Sequence, residues 1–175
     1  MALPDYFKVR GGTAKVFKSS TGDAALSLAS LANGSAKQSD KLDLGSPRSK
    51  SYKVKASFEF AATPTAGKTV DLWWAPSDSA TAGTDNPGNV SGASGSYAGY
   101  SSNLAATLPQ LQYIGSFVVT AQATATVQTA VVAEDFRPIS QYGTLVVDNE
   151  SGAAFHSSDT NQSVTLTPND DTIED

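Results

Sequence analysis

The chain has 175 residues, of which 17% are charged and 39% hydrophobic, with no cysteine and a single histidine. This length suits one domain with a substantial core, and the charged fraction lies below the roughly 25% of typical globular proteins. The lack of cysteine excludes disulfides and Cys-ligated metal sites, and one histidine excludes the usual zinc sites.

Charge is distributed unevenly along the chain. Residues 1–60 carry ten Lys and Arg against five Asp and Glu, whereas residues 61–175 carry two against twelve. Two interpretations are open: either some solvated loops are basic and others acidic, or the basic third meets an acidic surface on a sister subunit or another protein. The net charge of −5 argues against a nucleic-acid partner.

The N-terminal sequence, MALPDYFKVRGG, lacks the apolar segment of a secretory signal peptide. No stretch approaches 18 consecutive apolar residues, so the sequence predicts no membrane-spanning helix and no membrane partner. We therefore expect a protein made in the cytoplasm of its host without a leader.

Residues 1–22 are predicted to form an extended basic arm. Asp5–Arg10 and Thr13–Lys18 alternate like short strands, and Gly11 and Gly12 separate them. Each piece is too short to be stable alone, so we expect an arm or edge strand that needs a partner surface. The candidate contact residues of the arm are Tyr6, Phe7, Lys8, Arg10, Lys15 and Lys18.

Residues 23–168 are predicted to form one β domain. Residues 24–32 are ambiguous, because Leu26 and Leu28 fit a strand while Leu28 and Leu31 fit a helical turn; the strand is favoured. Asn33-Gly34 is a turn signal, and residues 41–44 alternate again.

The clearest strand covers residues 52–60, where alternate residues are apolar or aromatic: Tyr52, Val54, Ala56, Phe58 and Phe60. This period of two excludes a helix. After a turn at residues 64–67, residues 69–75 return the chain and place Trp74 in the same core. Trp73 then lies on the opposite face, where a covering loop is the usual arrangement and an interface is the alternative.

Residues 76–103 form a long segment of small polar residues. Loops longer than about 12–15 residues are uncommon in compact domains and tend to be functional or disordered. Tyr97 and Tyr100 should pack the segment partly against the body, and with Trp73 they are candidate contact residues. We expect this loop to contact other subunits or to lie at a particle surface, and the sequence leaves open whether it binds a glycan or an ion.

Residues 113–155 hold the predicted centre of the domain, and residues 104–112 precede it. A helical turn is expected near residues 104–108, ended by Pro109. Beyond it, three alternating runs predict strands, the second of them ending at Phe136-Arg137-Pro138. The three runs contain, in turn, Phe117, Val119 and Ala121; Ala125, Val127, Thr129 and Val131; and Leu145 and Val147.

The remaining predictions concern the end of the chain and the core. Residues 149–152 are a predicted turn, residues 162–167 a last strand, and residues 169–175 a loose acidic tail. The predicted core residues are Val54, Phe58, Leu72, Trp74, Phe117, Val119, Val127, Leu145 and Val147.

Sequence motifs of catalytic, metal-binding and phosphate-binding sites are absent or weak. A Ser-His-Asp triad could be composed only from His156, Asp159 and one of many serines, without a nucleophile elbow. Asp78, Asp85 and Asn86 lack the spacing of an EF-hand, and no Gly-rich phosphate loop occurs. The sequence predicts a protein that is not an enzyme and has no cofactor, no metal site and no catalytic residue.

Four segments carry a resemblance to virion structural proteins of tailed bacteriophages: LANGSAKQSDKLDLG (31–45), PTAGKTVDLWWAPS (64–77), LQYIGSFVVTAQATATVQ (111–128) and YGTLVVDNESGAAF (142–155). They resemble small β-proteins of the head-decoration or cement kind, over most of residues 26–155. The resemblance rests on strands and turns and implies a β-sandwich that clamps neighbouring capsid subunits, commonly as a trimer or dimer. It does not distinguish head decoration from a tail, collar or fibre component.

We therefore predict an all-β protein, an antiparallel, jelly-roll-like β-sandwich with an extended N-terminal arm. The predicted function is that of a virion component that binds copies of itself and the major capsid protein on the capsid exterior. The alternative from another class is a carbohydrate-binding module, with a glycan bound on Trp73, Tyr97 and Tyr100.

Overall fold

The computed structural model describes residues 12–46 and 48–169. Strands make up 41% of the described residues and helices 6%, and the sheets are antiparallel. The predicted all-β class is therefore confirmed. Tyr6, Phe7, Lys8, Arg10 and the tail beyond Asn169 lie outside the described residues, so the predictions made for them stay predictions.

The described strands, in chain order, are β1 (Lys15–Phe17), β2 (Ser35–Gln38), β3 (Leu42–Asp43), β4 (Tyr52–Glu59), β5 (Thr69–Ser77), β6 (Gly95–Tyr97), β7 (Gln112–Val118), β8 (Val127–Phe136), β9 (Tyr142–Glu150) and β10 (Ser163–Pro168). A short helix, α1 (Leu104–Thr107), is flanked by 3₁₀ turns at Tyr100–Ser102 and Leu108–Gln110. The predicted helical turn is confirmed, although Pro109 lies in the second 3₁₀ turn and α1 ends before it.

The strands form two sheets. One has the order β1-β10-β4-β8, and the other has the order β6-β2-β9-β5-β7. β5 pairs with β9 along its whole length, on one edge. β2 and β3 pair with different parts of the other edge of β9. β9 is therefore a central strand, and all its residues from Gly143 to Asn149 are buried.

The facing sides of the two sheets share one apolar core. β4 contributes Tyr52, Val54, Ala56 and Phe58, all at most 2% exposed, as the alternation predicted. The ring of Phe58 lies 5.0 Å from the rings of both Phe117 and Phe155, measured between centroids. The predicted core residues other than Val127 are all buried in this cluster: Val54, Phe58, Leu72, Trp74, Phe117, Val119, Leu145 and Val147.

The predicted phase of β8 is wrong by one residue. Val127 is 42% exposed and Val131 46% exposed, while Ala130 and Val132 pack against the core. Gln128 turns inward instead, and its side chain accepts a hydrogen bond from the Thr120 amide and donates one to the Thr120 carbonyl, each at 2.9 Å. The Val and Thr face of β8 resembles a core face in the sequence, but Ala130 and Val132 face the core, and the inward amide of Gln128 is satisfied by its hydrogen bonds to Thr120.

Two further strand predictions differ from the structure, one in existence and one in length. Residues 25–32 are irregular, yet Leu26, Leu28 and Leu31 are all buried, so their apolar pattern reflects the core and not an extended backbone. The strand predicted through Ala121 ends at Val118. The turn signal at Asn33-Gly34 is confirmed, with Gly34 at a φ of 75°, a region that glycine adopts readily.

Residues 12–22 were expected to belong to an arm separate from the domain, but they are part of the domain. β1 pairs with β10 along Lys15–Phe17, and Phe17 is fully buried with its ring 6.2 Å from that of Trp74. This short strand finds its partner in its own sheet, because Phe17 supplies the core contact that an isolated strand would lack. Lys15 and Lys18 are half-buried at this sheet edge.

Candidate functional site

The long segment 76–103 covers the outer face of the second sheet. β6 extends that sheet by pairing with β2, and Val90 and Tyr97 form a second apolar cluster with Val146 of β9. Ala36, Ala75, Leu108 and Leu111 complete this cluster. The segment is thus partly a structural cover, which is why β9 is buried on both faces.

Tyr97, predicted as a contact residue, is a structural residue instead. Its side chain is 4% exposed, and its hydroxyl donates a 2.6 Å hydrogen bond to the Gly88 carbonyl. Burial, with a smaller effect of Tyr100, raises the pKa of Tyr97 to about 12. The phenol holds the covering segment onto the sheet, so the folded chain presents little of it to a partner or a glycan.

The loop that contains Asp78, Asp85 and Asn86 is organised by an internal ammonium group. Lys41 Nζ donates to the Ser77 hydroxyl and to the carbonyls of Ser79, Thr81 and Thr84, at 2.7–3.1 Å. Burial lowers the pKa of Lys41, and Asp85 opposes that effect. The carbonyls that a bound cation would need are therefore already used by the chain's own lysine.

Trp73 and Tyr113 form an aromatic pair on the outer face of the second sheet. Their ring centroids are 4.8 Å apart at an angle of 56°, and Tyr113 is 49% exposed. Trp73 is half-buried beside the second apolar cluster, as expected for a Trp outside the main core. Tyr100 is 50% exposed at the start of a 3₁₀ turn. Of the predicted aromatic contacts, Trp73 and Tyr100 thus remain accessible.

Three carboxylates lie on the same face as the aromatic pair. Asp71 of β5 stands directly opposite Asp148 of β9, and Glu150 lies two residues beyond Asp148 on the same side. The Ser116 hydroxyl donates to the Asp71 carboxylate and accepts from the Tyr113 hydroxyl. We call this set of six residues the acid–aromatic surface: Asp71, Trp73, Tyr113, Ser116, Asp148 and Glu150.

Asp148 is the most perturbed member of the acid–aromatic surface. Its side chain is 6% exposed, and its Oδ1 atom is buried without a hydrogen-bond partner in the described residues. Burial first, and then the charges of Glu150 and Asp71, raises the pKa of Asp148 from 3.8 to about 6. Like charges directly opposite each other on neighbouring strands destabilise a sheet, so this carboxylate opposes folding at neutral pH.

We expect Asp148→Asn to stabilise the protein at pH 7.5 and to change little at pH 4. The folded-state pKa lies above the unfolded one, so the stability linked to this proton is present below about pH 4 and lost as the pH rises through 6. The gain at pH 7.5 should be roughly 1–3 kcal/mol, measured by urea unfolding at both pH values. Glu150→Gln, at an exposed position, is the control and should give a smaller gain. An equal effect of Asp148→Asn at pH 4 and 7.5 would contradict the assignment.

His156 has no catalytic geometry with a serine in the described residues. Its Nδ1 atom accepts a 3.1 Å hydrogen bond from the Ser158 amide, while the Ser27 hydroxyl donates to Asp159 at 2.8 Å. The serine and the aspartate therefore bond to each other and not through the imidazole. Glu59 Oε1 lies 3.9 Å from His156 Nδ1, too far for a hydrogen bond.

The described residues contain no group of three or more His, Asp or Glu side chains that could hold a metal ion. Their helices are all too short to cross a membrane. No protein-family model matches the chain, and no curated protein matches it.

The residues of the acid–aromatic surface other than Trp73 escaped the sequence analysis. In the sequence, Asp71 and Asp148 are only polar positions in strands whose alternate residues form the core. They meet because β5 and β9 pair in a register that sets residue 71 opposite residue 148. No local pattern carries that register, so no sequence signal could have found the pair.

Proposed function

We propose that this chain is a structural component of a tailed-phage virion, a head-decoration or cement protein that oligomerises and binds the capsid exterior. The observation that supports it best is the strand order. β1 pairs with β10, β2 with β9, β4 with β8 and β5 with β7, so the first half of the chain pairs with the second half in reverse order. We infer a jelly-roll sandwich from this arrangement, a fold common in viral capsid proteins and also in lectins.

The outer face of the four-stranded sheet is suited to contact with another protein subunit. The outer face of the four-stranded sheet carries Val127 and Val131 at 42% and 46% exposure. Thr129 lies between them on β8, and its hydroxyl hydrogen-bonds to that of Ser57 on β4 at 2.9 Å. Lys53 and Lys55 stand beside them on β4. Exposed valines and small polar side chains can be buried against another subunit, and the two lysines can pair there with carboxylates of the partner.

The proposal is tested by removing the gene from a phage genome that carries it. Heads should still form, but cryo-electron microscopy should show a set of surface densities missing, and the heads should release DNA at a lower temperature. Adding back the purified chain should restore both properties. Its absence from purified wild-type particles by mass spectrometry would contradict the proposal, and density on a tail, collar or fibre would favour another virion role.

A glycan-binding function is the second candidate, and the Trp73–Tyr113 pair beside Asp71 favours it. Sugars stack on exposed aromatic rings and hydrogen-bond to neighbouring carboxylates, and one face of the sheet offers both. Burial of Tyr97 removes one of the three aromatic residues first assigned to this role. Glycan-array binding that is lost in Trp73→Ala and kept in Tyr97→Phe would support this candidate over the structural one.

A further inference from the structure

The acid–aromatic surface has negative charge without compensating positive charge. Among the described residues, Asp71, Asp148 and Glu150 make no ion pair with a lysine or arginine. Asp71 and Asp148 lie directly opposite each other, and the Oδ1 atom of Asp148 is buried without a partner. A cationic ligand would relieve the repulsion that this arrangement creates.

The aromatic pair makes the same surface suited to an ammonium or guanidinium group. Tyr113 is 49% exposed, and its ring packs on Trp73 next to the carboxylate of Asp71. Lysine and arginine are attracted to aromatic faces, and arginine binds carboxylates with two parallel hydrogen bonds. The Tyr113–Ser116–Asp71 hydrogen bonds hold that carboxylate in place. The exposed side chain of Val118, on the same face of β7, adds an apolar border.

The chain itself contains a basic segment whose charge and aromatic residues complement the acid–aromatic surface. Residues 1–11 carry Lys8 and Arg10 against Asp5, with Tyr6 and Phe7 beside them. An extended segment of this length spans up to about 36 Å. It joins the domain at Gly12, which lies against Pro168 at the end of β10, in the sheet opposite to the acid–aromatic surface. The segment of another copy can approach that surface directly, whereas its own would have to pass around the domain.

We propose that the acid–aromatic surface of one copy binds the basic segment 1–11 of a second copy, with Lys8 and Arg10 placed on Asp71, Glu150 and the aromatic pair. This inference rests on the proposed assembly function and identifies one of its contacts. Asp148, buried behind the accessible carboxylates, strengthens the negative field and makes no direct contact. Repetition of this contact around an axis would give a closed ring, and reciprocal exchange would give a dimer.

The test is a complementation experiment on the full chain. One variant, Asp71→Asn with Glu150→Gln, lacks the accessible charges of the surface, and the other, Lys8→Gln with Arg10→Gln, lacks those of the segment. In sedimentation velocity at low salt, the wild type should associate, and each variant alone should associate roughly tenfold more weakly. A 1:1 mixture should regain a dimer, because the segment of the first variant can still bind the surface of the second.

Two controls separate this contact from a general charge effect. Asp43→Asn with Asp78→Asn changes the net charge equally, at exposed positions outside both the acid–aromatic surface and the outer face of β4 and β8, and should associate like the wild type. Raising the salt from about 0.05 to 0.5 M should weaken wild-type association, since the screening length falls from roughly 14 to 4 Å.

The inference is overturned if the surface variant associates like the wild type, if the mixture regains nothing, or if the wild type stays monomeric. The last two results would also be expected if the segment bound its own domain or if a different protein occupied the surface. A chain that is found on purified particles but fails this test would leave the virion proposal standing and remove only this contact.

Discussion

Phe58→Ala is expected to lower the free energy of unfolding by about 3–5 kcal/mol. Phe58 is fully buried between the two sheets, and its ring contacts Phe117 on one side and Phe155 on the other. Truncation to alanine removes these contacts and leaves a cavity that neighbouring strands cannot fill without moving. Urea unfolding followed by circular dichroism measures the loss.

The matched control for this prediction is a pair of valines. Val54→Ala, at a fully buried position of β4, should be clearly destabilising, whereas Val127→Ala, at a position 42% exposed on β8, should change stability by no more than about 0.5 kcal/mol. The comparison also tests the orientation of β8. Equal losses at the two valines would mean that the side chain of Val127 belongs to the core, as the alternation alone suggested.

Tyr97→Ala is expected to cost about 3–5 kcal/mol, as for other large buried aromatic residues. The phenol ring lies in the second apolar cluster with Val146 and Leu111, and its hydroxyl binds the Gly88 carbonyl. Removing it should loosen the covering segment and expose the outer face of β9. Hydrogen exchange should therefore increase in β6 and β9 before it increases in β4.

Two other tyrosine variants are the controls for Tyr97→Ala. Tyr97→Phe keeps the ring and loses only the hydrogen bond, so it should cost roughly 1 kcal/mol. Tyr100→Ala, at a residue 50% exposed, should lie within about 0.5 kcal/mol of the wild type. If Tyr97→Ala were as mild as Tyr100→Ala, the segment 76–103 would be the independent loop that its composition suggests.

The placement of segment 76–103 changes the way in which the chain can make contacts. A free polar loop could extend to a distant partner. In this segment, however, Val90 and Tyr97 are buried against the second sheet, and Tyr100 stays exposed. The positions open to a partner therefore lie on the sheet faces. One is the outer face of β4 and β8, with its exposed valines and lysines, and the other is the acid–aromatic surface at β5, β7 and β9.

Alternation in the sequence was enough to predict the fold class and the orientation of the strands whose two faces differ most. β4 and β5 alternate large apolar residues with polar ones, so Val54, Phe58, Leu72 and Trp74 could be assigned to the core without a partner strand. The reason is physical: burying the wrong face of such a strand would expose several large side chains and bury charged ones, at a cost that no pairing could offset.

Alternation could not predict the orientation of a strand whose two faces are about equally apolar, nor a contact that depends on the register between strands. β8 has Val127 and Val131 on one face and Gln128, Ala130 and Val132 on the other, so alternation alone does not decide between the faces. The second face packs against the core, where Gln128 hydrogen-bonds to Thr120. Phe17 is buried because β1 pairs with β10 from the far end of the chain. Asp71 meets Asp148 only through the register of β5 and β9. These three outcomes rest on partners more than 7 residues away in the sequence, so the pattern of side chains within one strand could not reveal them.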